Sequence, residues 1–298
     1  MRAVVFDGSG GVRVDSVPEP TIEREGDAVV RVRRAAVCGT DLNLIAHPGD
    51  LPAGTVLGHE FAGEVVEVGT AVRGLGVGDL VAGADYTACG RCWWCRRGDH
   101  WHCAERQFFG TGSAFGPALD GAQAERVRVP HADVVLRPVP PGVSLDAAVF
   151  LGDTLATGYA AVRRAGYLPG DTVAVVGGGP VGQLISLVAQ ACGAGAVVVV
   201  EPVEARRQLA KVNGALEADP AQARPLVDEI TDGRGADAVI DAVGGPRGLE
   251  TAFGLSRSTT PGCTTSRPAR SPSCRRPGTR WRTRWTCCGA RRRCSGRC

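Results

Sequence analysis

The sequence predicts a two-part α/β protein: a β-rich N-terminal domain, then part of a parallel, doubly wound domain, and finally an irregular basic tail. Three observations carry this. The first half consists of short apolar runs cut by glycine-rich turns. The second half alternates strand-like and helix-like runs, which calls for a parallel sheet. Near Gly254 both rhythms stop.

With 298 residues, 44% hydrophobic and 22% charged, the chain suits two globular domains of ordinary size. No apolar run approaches the roughly 18 residues that a membrane span needs. The N-terminus, Met1 to Asp7, lacks a secretory h-region and reads as a first strand, so a cytoplasmic protein is expected. Strand-like runs follow at Ala28 to Val32, Ala62 to Val68 and Ala124 to Val129. Pro138, Pro140 and Pro141 mark a boundary, giving a β-rich domain over 1–148.

Beyond it, over 149–254, Thr172 to Val176 is a buried strand and Val181 to Cys192 a helix with Cys192 in its core. Val197 to Val200 is a second strand, Val203 to Asn213 a second helix and Ala236 to Asp241 a third strand. Residues 247–254 read as the helix leading to a fourth strand that does not arrive. On this reading only strands 1 to 3 are present, strand 1 is left as an exposed apolar edge, and the half of the sheet beyond strand 1 is missing.

The tail, 255–298, holds twelve arginines, six cysteines and no acidic residue. The net charge of +3 hides this asymmetry, since 22 basic against 31 acidic residues upstream leave 1–254 at −9. Without apolar periodicity the tail is expected to be disordered and reads as a wrong-frame translation of a GC-rich gene. The rival reading is a basic tail that binds nucleic acid through its arginines, although no nucleic-acid-binding fold accompanies it.

Four cysteines, Cys89, Cys92, Cys95 and Cys103, lie within fifteen residues. Four thiolates can close a tetrahedron on one zinc and leave no position for substrate, which makes a structural site. An iron–sulfur cluster or two disulfides are the alternatives, and His100 and His102 read as loop residues. Cys38, His59 and Asp153 offer one sulfur, one imidazole and one carboxylate, a set that suits an open zinc site. Alone, each is unremarkable.

In order along the chain, Cys38-Gly-Thr-Asp41, Gly58-His59-Glu60 and the four-cysteine lobe resemble the zinc-containing alcohol dehydrogenases of the medium-chain dehydrogenase/reductase family. The resemblance covers about residues 1–254. It implies a GroES-like catalytic domain and a Rossmann cofactor domain. It also implies Cys38, His59 and Asp153 as catalytic zinc ligands, with Glu60 as an exchangeable fourth ligand or close neighbour. Asp41 is then the carboxylate that orients the zinc-bound imidazole, and Thr40 the hydroxyl that passes the substrate proton outward, with only Asn43 beyond it to continue the path.

Gly177-Gly178-Gly179-Pro180-Val181-Gly182 contains Gly-x-Gly-x-x-Gly between strand and helix, where Gly177, Gly179 and Gly182 let a pyrophosphate sit on the helix N-terminus. Glu201, at the end of the second strand, suits the ribose hydroxyls and favours NAD over NADP, while Arg206 one turn on can face a phosphate. Thr157 matches a family position near the nicotinamide. The resemblance thus implies reversible hydride transfer between a small alcohol, or its carbonyl product, and NAD, with two zinc ions per chain. A non-catalytic zinc-binding relic is the alternative. The family often pairs through the last strands of its cofactor domain, which this sequence lacks.

Overall fold

The computed structural model describes residues 1–49 and 51–257. The first five-stranded sheet is antiparallel. Before it, β1 (Arg2–Phe6) and β2 (Val12–Ser16) form a separate hairpin. β3 (Ala28–Ala36) leads to the eight-residue helix α1 (Gly39–Ala46), then β4 (Glu60–Val68) and β5 (Leu80–Gly83) follow. After the cysteine lobe, with its single turn α2 (Trp93–Arg96), come β6 (Arg126–Val129), α3 (Ala132–Val135) and β7 (Leu136–Pro138). The sheet order is β6-β3-β4-β5-β7.

Alternation explains the packing. On β3, Val30 points into a core with Phe61, Val65, Val81, Phe109 and Val127, while Arg31 and Arg33 face outward toward Glu64 at 3.6 and 2.9 Å. Phe61 and Phe109 meet edge to face at 5.4 Å between centroids. Each face of the strand therefore has its own chemistry, as period-two patterning requires.

The second sheet is parallel. Two helices, α4 (Leu145–Ala148) and α5 (Thr154–Ala165), lead into it. β8 (Thr172–Val176), α6 (Pro180–Ala191), β9 (Ala196–Val200) and α7 (Glu204–Val212) then alternate. They are followed by β10 (Leu216–Ala218), α8 (Pro220–Ile230), β11 (Ala238–Asp241) and α9 (Gly245–Leu255). On β8, Val173 and Val175 pack with Val162, Ile185 and Ala189. Ala174 and Val176 pack on the opposite face with Ala223, Val227 and Leu255. Burial on both faces is why these strands read as continuous apolar runs rather than alternating ones.

The order β10-β9-β8-β11 corrects the strand count. The segment 236–241, expected as strand 3, is the fourth strand: it pairs parallel to β8 on the side away from β9, with Val239 opposite Ala174. The third strand is β10, whose three residues Leu216-Glu217-Ala218 contain no apolar run to announce them. It is held by Arg207 on α7, whose Nε lies 3.1 Å from Glu217. Strand 1 is therefore central rather than an edge, and the switch point between strands 1 and 4, where this fold class binds its ligand, is present.

Residues 247–254 belong to α9, which follows strand 4 instead of leading to it. The fold also continues past the expected boundary. Leu255 is buried, Ser256 bridges in parallel to Ala236, and the Arg257 amide donates to the Ala236 carbonyl at 3.0 Å. The rest of the predicted tail lies outside the described residues. Cys192, expected in a helix core, is instead exposed at the C-cap of α6.

Candidate active site

Three element ends converge on one small pocket. Cys38 is the N-cap of α1, His59 immediately precedes β4, and Asp153 is the N-cap of α5. Their donor atoms all lie within 4.8 Å of one another. Two of the three sit at helix N-termini, where the macrodipole favours a thiolate or carboxylate.

The spacing fits a tetrahedral metal. Around one zinc, nitrogen and oxygen ligands stand about 3.3 Å apart, and sulfur stands about 3.5 Å from oxygen. Here His59 Nε2 is 3.3 Å from Asp153 Oδ2, and Cys38 Sγ is 3.7 Å from the same oxygen. The His59 side chain is 1% exposed, yet neither ring nitrogen has an aligned hydrogen-bond partner. An imidazole buried in that state costs free energy, and a cation at Nε2 removes the deficit. The charges say the same. Burial alone would lower the His59 pKa, but Asp153 and Asp41 more than reverse it, to about 12. The pocket carries an excess of negative charge that calls for a cation.

Asp41 lies beside the imidazole. Its Oδ1 lies 3.3 Å from His59 Nδ1. Its Oδ2 accepts the Cys38 amide at 2.9 Å and the Gln123 side-chain amide at 3.3 Å. One carboxylate thus fixes both the cysteine-bearing turn and the imidazole. Glu60 is a close neighbour rather than a member of the converging set: its Oε1 accepts from the backbone N–H of Thr154 at 3.2 Å and from the Thr154 hydroxyl. Burial raises its pKa. Thr40 is half-buried on the first turn of α1 and makes no side-chain hydrogen bond among the described residues. Asn43 is exposed.

Three neighbours were not legible beforehand. Gln123 supports Asp41 from a loop without periodicity; Gly58 makes room for it, since a Cβ there would fall 2.4 Å from Gln123 Cγ. Phe108 sets its ring edge against His59 at 5.4 Å. Asp85 is a half-buried carboxyl that burial and the charge of Asp153 push up to about 7. Nothing in its local sequence, Gly83-Ala-Asp-Tyr86, marks it out.

In the lobe, Cys89, Cys92, Cys95 and Cys103 also group within 4.8 Å as free thiols. Cys89 and Cys95 sulfurs are 4.0 Å apart, close to the roughly 3.8 Å edge of a zinc–sulfur tetrahedron and far from a disulfide bond. Burial pushes the Cys95 thiol up to about 12, so holding it as thiolate requires a cation. His102 pairs with Asp99 at 2.9 Å on the exposed side, apart from the sulfurs.

The glycine loop has the geometry its spacing predicts. Gly177 has φ of +100°, and a Cβ on Gly182 would lie 1.9 Å from the Gly177 carbonyl oxygen. Gly179 caps α6, Pro180 is its first residue, and Val181 follows half-buried against the β8 core. A Cβ on Gly177 would meet Val243 at 2.6 Å, so the turn after β11 stands directly across the loop. Glu201 is buried, accepting from the amides of Gly178 at 2.7 Å and Val203 at 3.0 Å. Arg206 lies 3.8 Å from Glu201 and is half exposed. Thr157 is directed at the metal pocket, donating to Asp153 Oδ1 at 3.2 Å.

Known proteins resemble this chain in sequence and in fold. The profile described as "Alcohol dehydrogenase GroES-like domain" matches residues 24–140, and that described as "Zinc-binding dehydrogenase" matches 180–263. A zinc-type alcohol dehydrogenase B of Aspergillus flavus is 41% identical, covering 86% of this chain and 61% of its own length. A medium chain reductase/dehydrogenase of Acremonium is 38% identical, over 86% of this chain and 90% of that one. The solved alcohol dehydrogenase from Thermus sp. ATN1 superposes with a TM-score of 0.81 at 40% identity, covering 86% of this chain and 75% of its own. The chain thus spans about three fifths of the Aspergillus relative. No helix among the described residues is long and apolar enough to cross a membrane.

Proposed function

This chain belongs to the zinc-containing alcohol dehydrogenases of the medium-chain family, and we propose that it transfers hydride reversibly between a small alcohol and NAD. The observation that carries the reading is the convergence of Cys38, His59 and Asp153 from three element ends. Those three side chains hold a catalytic zinc, and Cys89, Cys92, Cys95 and Cys103 hold a structural one. When bound, zinc supplies Lewis acidity that makes the substrate alcohol more acidic, and the nicotinamide supplies the hydride acceptor.

The remaining roles fall to the protein. Asp41 orients His59 and fixes its tautomer, leaving Nε2 free to coordinate. Thr40 takes the alcohol proton and passes it outward along α1. Glu60 stays beside the ligands, held by Thr154. The N-terminus of α6 and the glycine loop receive the pyrophosphate, and the buried Glu201 accepts from the ribose hydroxyls. A 2′-phosphate brought to that carboxylate meets like charge, which favours NAD over NADP, and Arg206 beside it moderates the preference.

The relic reading keeps one observation in its favour. The parallel sheet has four strands among the described residues, against the six of a complete dinucleotide fold. Metal analysis of the full chain, joined to NADH formation with a panel of alcohols, decides between them. Two zinc per chain with chelator-sensitive NADH formation is the expected result. Two zinc without NAD binding or turnover overturns the dehydrogenase reading and favours the relic.

A further inference from the structure

Among the buried residues of α6, Gln183 differs in chemistry. It is an amide 7% exposed, directly after the last glycine of the loop, at a place where an apolar side chain would satisfy packing. Every polar atom it carries is engaged. Its Nε2 donates to the Gly178 carbonyl at 3.0 Å and to the Arg206 carbonyl at 2.9 Å, and its Oε1 accepts from the Asn213 side-chain amide at 3.3 Å. With both N–H groups taken by carbonyls and the oxygen held by Asn213, the amide has one orientation that satisfies all three partners. The helix that supplies two of them has anchors of its own: Arg207 on α7 donates to the Glu201 carbonyl at 2.9 Å and lies 3.1 Å from Glu217.

The contact to Gly178 fixes the peptide that joins it to Gly179. Its carbonyl is drawn inward, and in a trans peptide the N–H points the opposite way. The Gly179 amide is therefore aimed outward, and no acceptor among the described residues meets it. On the other side of the same residue, the Gly178 amide donates to Glu201 Oε2 at 2.7 Å. Two buried side chains, one from α6 and one from the residue after β9, thus hold both peptide planes of Gly178. Three consecutive glycines, Gly177 to Gly179, give this segment little resistance to rotation, so its peptide directions depend on such clamps.

We propose that Gln183 is a positioning residue for the dinucleotide: it turns the Gly178–Gly179 peptide so that the Gly179 N–H, and not the Gly178 carbonyl, meets the pyrophosphate. This rests on the reading of the glycine loop as the pyrophosphate site. Without the Gln183 donor the buried carbonyl has no partner, a costly state. Rotation of the peptide toward water relieves it, and the rotated carbonyl then sets the negative end of its dipole against the phosphates.

ADP-ribose carries the pyrophosphate and adenosine does not, so the pair isolates the effect. Binding of each to the zinc-loaded full chain is measured by ligand-observed NMR, and NADH formation is followed separately. Gln183→Met keeps the length of the side chain and removes its donors. Leaving a buried carbonyl unpaired corresponds to about a ten- to hundredfold change. ADP-ribose should bind more weakly by that factor, while adenosine stays within about twofold of the unaltered chain and zinc content is unchanged. Should that variant fail to fold, Asn213→Asp acts from the half-buried far side of the amide. A carboxylate there attracts Nε2 and turns Oε1 toward the two carbonyls, so ADP-ribose should weaken about two- to tenfold. Equal losses for ADP-ribose and adenosine, or ADP-ribose affinity unchanged in the variants, overturn the assignment of Gln183 and leave the cofactor reading standing. No binding of ADP-ribose to the unaltered chain overturns both. Selective loss of ADP-ribose in the variants, with no NADH formed by the unaltered chain, removes the dehydrogenase reading and leaves Gln183 in place.

Discussion

Replacing Asp41 by asparagine changes a single contact in the metal pocket. Asp41 Oδ2 accepts from the Cys38 amide at 2.9 Å and from Gln123 at 3.3 Å, and an asparagine oxygen serves both equally well. Its amide nitrogen then takes the place of Oδ1, 3.3 Å from His59 Nδ1. A zinc-bound imidazole carries its proton on Nδ1, so the substitution sets donor against donor. Loss of such a partner costs about 10- to 100-fold in metal affinity, or about 1.4 to 2.7 kcal/mol. Chelator competition followed by the zinc-to-protein ratio reads it directly. The variant should fall from two zinc per chain toward one at a chelator concentration that leaves the unaltered chain at two, because the cysteine lobe does not depend on Asp41. An affinity within twofold of the unaltered chain would falsify the assignment of Asp41 as the imidazole's orienting partner.

The other predictions test separate links. In Gly182→Ala the new methyl would fall 1.9 Å from the Gly177 carbonyl oxygen, so NAD affinity should fall at least tenfold while zinc content stays at two; calorimetric titration with NAD checks this, and undiminished affinity counts against pyrophosphate binding at the loop. Glu201→Ala should weaken NAD and narrow the gap to NADP, read from the ratio of the two dissociation constants; an unchanged ratio removes Glu201 from cofactor choice. His131, half-buried, has its pKa lowered chiefly by burial. The unfolded chain therefore binds this proton more readily, and stability present above about pH 6.5 is lost as pH falls toward the lower folded value. His131→Asn, which tolerates the left-handed φ of 54° at this position, should flatten Tm against pH between about 5 and 7, and an unaltered slope refutes the argument.

Legibility followed local patterning. β8 and β9 were readable because both faces of each are buried, leaving unbroken apolar runs. The cysteine lobe and the glycine loop were readable because their chemistry sits within a few residues and depends on spacing. β10 was not, because it is three residues long and is held by Arg207 rather than by an apolar run. Missing it shifted the strand count and turned the fourth strand into a third. At the metal pocket Cys38, His59 and Asp41 lie in marked motifs, whereas Gln123, Phe108 and Asp85 arrive from loops whose position is set only by pairing between distant segments. Sequence separation hid them, and no residue type among them announces a role by itself.

The metal pocket also joins the two sheets, and Gly152 tests that coupling. Cys38 and His59 come from the antiparallel sheet, while Asp153 comes from the helix that leads to the parallel one. The approach of these parts depends on the absence of a side chain at Gly152, where a Cβ would be 1.8 Å from the Gly83 carbonyl oxygen. Backbone atoms on both sides leave nothing flexible to give way, so Gly152→Ala must push Asp153 away from His59. A shift of 1 Å or so is enough to lose a ligand whose bond length is about 2.0 to 2.2 Å. Because Glu60 reaches across the same seam to Thr154, its contact should open together with the metal pocket. The variant should hold one zinc, in the cysteine lobe, and hydrogen exchange should rise at Thr154 and along the start of α5 while β8 and β9 remain protected. If the variant keeps both zinc ions and its exchange pattern is unchanged, the two sheets are not coupled through this glycine and Asp153 is not held in place by the contact beneath it.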